Sequence, residues 1–461
     1  MPAHTANEDS RLSFWLRVRE FAVPPSMIET ATARRGAGDW AGACAAAGID
    51  LDLHPRTVAA AYGRELADRV RDDLRALAPD LLRWHMPRIA PDGLLRPGLT
   101  ITLARYDTAE RPLHLVARTP PAWADAGQRI SLALWDGSDA HAGRYPHPRP
   151  NRRFRLDLHR HLWDARRAGE LRIRSGASGD GFSMTDPELL AAVPPGYRCA
   201  VDRWAAEAAL LLRAEERRAG TVLVRLGGRQ RLFLDLGEGT PPAPRLTSAP
   251  RGGTDSALPV LPNAATWVLP DLELLRTGSI DAGRLHPLVA SALVPDHVPT
   301  RTAPVPQRAG EPRLVECRGA RHRIGLVDGR LAPLDHDPAE IRREELLVGL
   351  TGTPLPCLQA IDEAHRRPDC LSGVRERLDH GDITGALAVV EGLLGPEATL
   401  CNGALRDELE AAARRRIAYG LFRAGLAEPV TRRDRPGAGR PRDHRPHPRL
   451  ATAAPAPARR L

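Results

Sequence analysis

LTITLARY (99–106), LHLVAR (113–118) and RISLALWDG (129–137) alternate or run apolar between Pro and Gly signals, the pattern of short strands in a small antiparallel sheet. The residues on both sides have the other period. Upstream, a run opening at Pro55 spaces Val58, Tyr62, Leu66, Val70, Leu74 and Leu77 by three and four, which predicts one long amphipathic helix with proline in its first turn. Downstream, Val201, Trp204, Ala208, Leu211 and Leu212 mark a helix over about 200–218, followed by TVLVRL (221–226) and RLFLDL (231–236) as a hairpin. The fold class that follows is α+β, predominantly helical with small antiparallel sheets and hairpins, multi-domain, with a disordered C-terminal tail.

Composition shifts divide the chain further. Residues 1–95 read as a helical N-terminal region and 96–236 as an α+β domain that carries a basic Arg/His/aromatic segment, 141–174. Residues 237–257 and 295–312 are rich in Pro, Gly, Thr and Ser and read as linkers around a short α/β segment, 258–294. A hairpin and helices near 338–350, 356–366, 373–380, 383–395 and 403–424 fill 313–427, and 428–461 lacks apolar periodicity. Asp39, Asp337 and Asp382 stand where helix caps are expected, Asp337 within a capping box closed by Glu340.

GDWAGACA (38–45) and GDITGALA (381–388) agree at five of eight positions. The second copy, continued to GDITGALAVVEGLL, resembles the opening of a tetratricopeptide-type helix over about a dozen residues; no 34-residue period follows it, so an isolated helical hairpin is expected.

All 66 Lys+Arg residues are arginines. Without an ε-amine there is no phosphate-loop lysine, no Schiff base and no Ser-Lys nucleophile pair. Residues with A/T-rich codons are scarce throughout, Asn among them at four positions, so G/C-rich coding accounts for much of the arginine. The formal charge of +9 is uneven: 144–174 carries a local +7, 428–461 a local +6, and the remainder is mildly acidic. The six cysteines form no C-x-x-C, which predicts buried free thiols, and no stretch has the length or polarity of a leader or a membrane span, which predicts a cytoplasmic protein without membrane contact.

Two chemistries suggest themselves for the basic regions. Arg152, Arg153, Arg155, Arg160, Arg166 and Arg167, with Arg440 and Arg442 of the tail, offer guanidinium forks to a nucleic acid or other polyanion. The tail's Ala438-Gly439-Arg440-Pro441-Arg442 partly resembles an AT-hook, whose first arginine is replaced by Ala438. His159 and His161 with Asp157 are the candidate metal ligands of a metal-dependent hydrolase, although helical spacing at Leu158, Leu162 and Ala165 would turn the two imidazoles apart. Asp335-His336-Asp337 and His380-Gly381-Asp382 look like acid/base triplets but are also accounted for by helix ends and caps. No G-x-S-x-G, H-E-x-x-H, G-x-G-x-x-G or EF-hand loop is present.

The expectation that results is a non-catalytic interaction or scaffold component of a cytosolic multi-protein assembly, without a cofactor and with a protein partner. Nucleic-acid binding through 144–174 and the tail is the alternative, and metal-dependent hydrolysis at His159 and His161 the second.

Overall fold

Six helices lead into the first sheet: α1 (Ala3–Phe21), α2 (Pro25–Gly36), α3 (Trp40–Ala46), α4 (Pro55–Tyr62), α5 (Arg64–Ala76) and α6 (Pro79–His85), with strand β1 (Ile49–Leu51) after α3. The computed structural model describes residues 3–109, 111–124, 128–138, 145, 147–177, 187–194, 196–227, 230–237, 244–247, 257–297, 313–317, 320–327, 330–337, 339–343, 369–394 and 403–426. The single long helix expected from Pro55 is two. Gly63, at φ +88°, ends α4 and begins α5, a conformation that the apolar spacing across it could not reveal. Leu66, Val70 and Leu74 of α5 are buried as that spacing predicts.

A short hairpin, β2 (Arg88–Ile89) and β3 (Leu94–Leu95), precedes β4 (Thr100–Tyr106), β5 (Leu113–Arg118) and β6 (Ile130–Trp135). These three strands pair antiparallel, with β1 added parallel to β6 through Ile49–Ile130 and Leu51–Leu132, in the order β1-β6-β5-β4. A register shift between Thr102 and Ala104 bends β4. One face of the sheet buries Ile101, Leu103, Leu115 and Leu132 against Leu74, Leu81, Leu82 and Trp84 of the helices in a shared core.

The basic segment covers the sheet edge. Asn151 N donates to Thr100 O at 2.8 Å and Asp157 N to Thr102 O at 3.0 Å, so 151–157 runs along β4 and satisfies edge groups that would otherwise face water. The chain then turns through 3₁₀ turns at Arg160–Leu162 and Ala168–Glu170 into α7 (Leu171–Arg174), and Trp163 is completely buried, with Nε1 donating to Leu156 O.

Helix α8 (Pro187–Ala192) and the 14-residue α9 (Val201–Ala214) lead to β7 (Gly220–Leu226), β8 (Gln230–Leu236) and β9 (Pro244–Thr247), an antiparallel sheet. Strand β9 lies inside the stretch read as the first linker. Trp204, Ala208, Leu211 and Leu212 of α9 pack on Val222, Val224, Leu234 and Leu236 as a second core. Helices α10 (Asn263–Thr266), α11 (Pro270–Arg276) and α12 (Pro287–Leu293) follow, and Leu274, Leu285 and Val289 join the first core.

Strands β10 (Arg313–Cys317), β11 (Ala320–Val327) and β12 (Arg330–Pro333) make a third antiparallel sheet, after which Asp337 Oδ1 accepts from Ala339 N at 2.9 Å as a cap. Helices α13 (Asp369–Asp379), α14 (Ile383–Leu394) and α15 (Ala404–Ala424) bury Val374, Leu378, Ala386 and Ala412 together. They are fastened to the first core by Arg17–Glu376, Arg423–Asp52 and Tyr419–Asp50, and by Arg83, whose Nη2 donates to His380 O at 2.8 Å.

The sequence echo is a structural one. In both copies a glycine with positive φ (Gly38, Gly381) ends one helix, and the following Asp accepts from the amide of Gly42 or Gly385. Each Asp also takes an arginine five residues back, Arg34 at 2.8 Å and Arg377 at 3.0 Å. A Cβ on Gly42 or Gly385 would overlap the capping carboxylate, which is why the fifth position of the motif is glycine in both. Residues 356–366, residues 298–312 of the second linker and the tail lie outside the described residues, and no helix among those described is long and apolar enough to cross a membrane.

Candidate functional site

A cavity of about 390 Å³ opens where α1, the end of α6, the β4 edge, the basic segment, α9 and the α10–α11 turn converge. Its wall holds eight arginines and, among the lining residues, no Asp or Glu. Helix α1 contributes Arg11 and Arg19 by helical spacing; the backbone leaving α6 brings Arg88; the edge-covering segment brings Arg153 and Arg155; α7 and α9 bring Arg174 and Arg203. Arg96, exposed, follows β3.

Four of these charges are neutralised behind the wall. Arg19 is gripped by both oxygens of Asp271, at 2.8 and 2.7 Å, while Trp84 Nε1 donates to the same carboxylate. Arg11 lies 3.0 Å from Glu273. Arg155 bonds Asp157 and Glu215, and Arg174 bonds both oxygens of Glu207. The other four meet no carboxylate within salt-bridge reach among the described residues. Arg153 Nε donates to Asn263 Oδ1 at 3.3 Å, Arg203 Nη2 to Trp267 O at 3.5 Å, and Arg88 to the carbonyls of Arg83 and Gly93. Arg96 makes no side-chain hydrogen bond among the described residues.

The electrostatics follow. Burial and then Arg83 and Arg19 push Arg88 well below its ordinary range; burial and then Arg96 and Arg225 lower Arg153; burial lowers Arg203. Burial is the largest cause at all three; neighbouring arginines add to it at Arg88 and Arg153, whereas at Arg203 Glu207 and Asp202 offset part of it. Two imidazoles share the wall. Burial, followed by neighbouring cationic groups, holds His85 and His161 well below the usual histidine range, so both are neutral at pH 7. His161 is 3% exposed and its Nδ1 has no partner, as is true of His85 Nε2. An unsatisfied buried ring nitrogen costs on the order of 1–3 kcal/mol, a cost that a bound ligand with a matching group removes.

Apart from Ser175 and Asn263, the rest of the wall is apolar and aromatic, with Trp15, Trp84, Phe154 and Trp267 beside Ile101, Leu156 and Leu171. Trp267 stacks on Tyr197 with centroids 5.8 Å apart and planes at 26°.

The residues singled out in the sequence are placed as follows. Arg153 and Arg155 line the cavity. Arg152 bonds Leu258 O, Arg160 bonds Asp73 and Asp164 and covers Trp163, Arg166 bonds Asp164, and Arg167 bonds Glu170. Arg440 and Arg442 lie outside the described residues. His159 and His161 do not diverge, because the segment is a 3₁₀ turn and not an α-helix: their rings meet edge to face at 5.7 Å. His159 Nδ1 lies 3.0 Å from Arg155 O and Nε2 3.1 Å from Glu207 Oε2, whereas Asp157 is turned to Arg155. Among the described residues no three His, Cys, Asp or Glu gather to hold a metal ion. Asp335 is bonded to Arg323, and His336 stacks on His322 at 4.2 Å. Cys44 is buried and its thiol is pushed up to about 12.

Comparison with family models, curated proteins and solved structures found no match. The cavity therefore speaks through its own chemistry. Arg88, Arg96 and Arg203 carried no signal in the sequence, being three of 66 arginines in three separate stretches.

Proposed function

We propose that the protein binds a small anionic ligand of at least two negative charges in this cavity, held by Arg88, Arg96, Arg153 and Arg203. The observation that carries the reading is the four guanidiniums without a carboxylate partner around one space of about 390 Å³. Arg88, Arg153 and Arg203 are half-buried and Arg96 is exposed, and like charges gathered around one cavity raise the energy of the empty site. An anion relieves that repulsion and takes forked, charge-assisted hydrogen bonds from arginine, the side chain suited to phosphate and carboxylate. Carbonyl and amide oxygens behind Arg88 and Arg153 fix the direction of these forks in advance, which lowers the entropy cost of binding.

Inorganic pyrophosphate is the simplest probe. Thermal unfolding with and without it, at constant ionic strength, should show stabilisation that rises with concentration, as mass action requires of a ligand that binds only the folded state. Sodium chloride at equal ionic strength should not reproduce it. If pyrophosphate, phosphate and citrate all leave the midpoint unchanged, the reading fails.

A further inference from the structure

We infer that the ligand is a nucleoside phosphate, whose phosphates sit among Arg88, Arg96 and Arg153 and whose base stacks on Trp267. The inference rests on the anion-binding reading above and adds the other half of the ligand. A cavity of about 390 Å³ has room for roughly a dozen waters at about 30 Å³ each, several times what a phosphate group displaces. The remaining space is walled by aromatic rings.

That wall is unusual for this chain. Aromatic residues are 4% of the sequence, yet Trp15, Trp84, Phe154 and Trp267 all face the cavity. They are not equivalent. The Arg19 guanidinium lies over both Trp84, at 4.5 Å, and Trp15, at 5.3 Å, so those rings serve to hold that arginine. Phe154 is buried in the first core. Trp267 is half-buried, Tyr197 supports it, and the ring belongs at once to the cavity wall, which makes it a stacking platform.

Two polar groups of the same cavity wall suit a base edge. His161, buried with a partnerless Nδ1, and His85, with a partnerless Nε2, are neutral rings that can each accept or donate one hydrogen bond. An aliphatic polyanion would leave the indole face unused. Charge also fits: a diphosphate ester brings about three negative charges to four guanidiniums that have no carboxylate within salt-bridge reach among the described residues, where a monocarboxylate brings one.

The test compares ADP, UDP and pyrophosphate by calorimetric titration of the full chain. Both nucleotides should bind about tenfold or more tightly than pyrophosphate, the effect of one stacked base. Trp267→Ala should erase that advantage and leave pyrophosphate affinity unchanged, and Trp267→Phe should restore most of it; thermal unfolding of each variant reports whether it has folded. Equal binding of pyrophosphate and nucleotides to the unaltered protein would overturn the inference while leaving the anion site intact. Equal losses for all three ligands in folded Trp267→Ala would overturn it as well. Failure of all three to bind the unaltered protein would sink both proposals.

Discussion

Glu207 receives Arg174 through both carboxylate oxygens, each at 2.7 Å, and lies 3.1 Å from His159 on its other side. Burial raises the Glu207 carboxyl, but His159 and Arg174 outweigh it and hold the group at about 2. A carboxyl lowered in the folded state contributes stability that is present above its ordinary value, 4.5, and is lost as pH falls toward 2. His380 acts earlier. Burial lowers it from 6.5 to about 4, so the folded state prefers the neutral ring and loses stability as pH falls through that interval. Denaturant titrations from pH 7 to pH 2 should therefore show a decline that begins below about 6.5, steepens below about 4.5, and is shallower in the lower range for Glu207→Gln. That variant should cost about 3 kcal/mol at pH 7, because it breaks a buried pair and strands Arg174. A flat profile between pH 6.5 and 4 would contradict the buried neutral histidine.

Arg153 differs from its neighbour Arg155 in having an amide oxygen where Arg155 has two carboxylates. Removing it should separate binding from stability. Arg153→Met is expected to weaken pyrophosphate binding about tenfold or more, the worth of one or two charge-assisted hydrogen bonds, while the ligand-free protein is unchanged or slightly more stable because positive crowding falls. Arg155→Met, by contrast, should cost stability with or without ligand, since it leaves Asp157 unpaired. Calorimetric titration and thermal unfolding of the two variants decide the matter, and equal behaviour of the pair would remove the distinction.

How much of this was readable beforehand depends on how local the cause is. Strand β5 occupies the predicted residues 113–118 because alternation and flanking signals lie within eight residues. Asp39, Asp337 and Asp382 cap as expected for the same reason. Strand β1 has three residues and owes its existence to β6, 81 positions away, so no local pattern announces it. The basic segment looked like a solvated helix because Leu158, Leu162 and Ala165 fit that period, but 151–157 pairs with the β4 edge, and the residues after it run through 3₁₀ turns and bond the backbone of Ala76 and Ala78. The cavity is the extreme case. Its four unpaired arginines come from residues 88, 96, 153 and 203, and which arginine lacks a carboxylate is a property of packing alone.

The paired Gly-Asp motifs give a third expectation. In Gly385→Ala the new methyl must displace the Asp382 carboxylate from the amide it caps, so the net cost should be about 1 kcal/mol, the value of an N-cap. In an Asp382→Ala background the same change should be neutral or stabilising, since alanine is a better helix former than glycine once the space is empty. Chemical denaturation of the four members of this cycle measures the coupling directly. Additive effects would show that Gly385 is there for some other reason.

Arg83 supplies the last test, because its guanidinium is enclosed and bonded to carbonyls from separate parts of the chain: Ala22 at 3.1 Å, Gln128 at 2.7 Å and His380 at 2.8 Å. Among the described residues no carboxylate lies within salt-bridge reach of it, and burial, then Arg129, partly offset by Asp382, lower it to about 10, still a cation at neutral pH. The ion is held by oriented carbonyl dipoles, and it spans 297 residues of sequence to fasten the end of α13 to the N-terminal helices. Arg83→Met keeps the stem and removes the fork, leaving three buried carbonyls short of a donor. A loss of roughly 3 kcal/mol or more is expected at about 1 kcal/mol or above for each stranded group. Hydrogen exchange should localise the effect, with faster exchange in α13 and α14 than in β5 and β6, because Arg83 is a strap between two packed regions and not part of the sheet's own core. Uniform acceleration through both regions would mean that Arg83 supports the first core itself and that the helical hairpin holds its place by the remaining ion pairs.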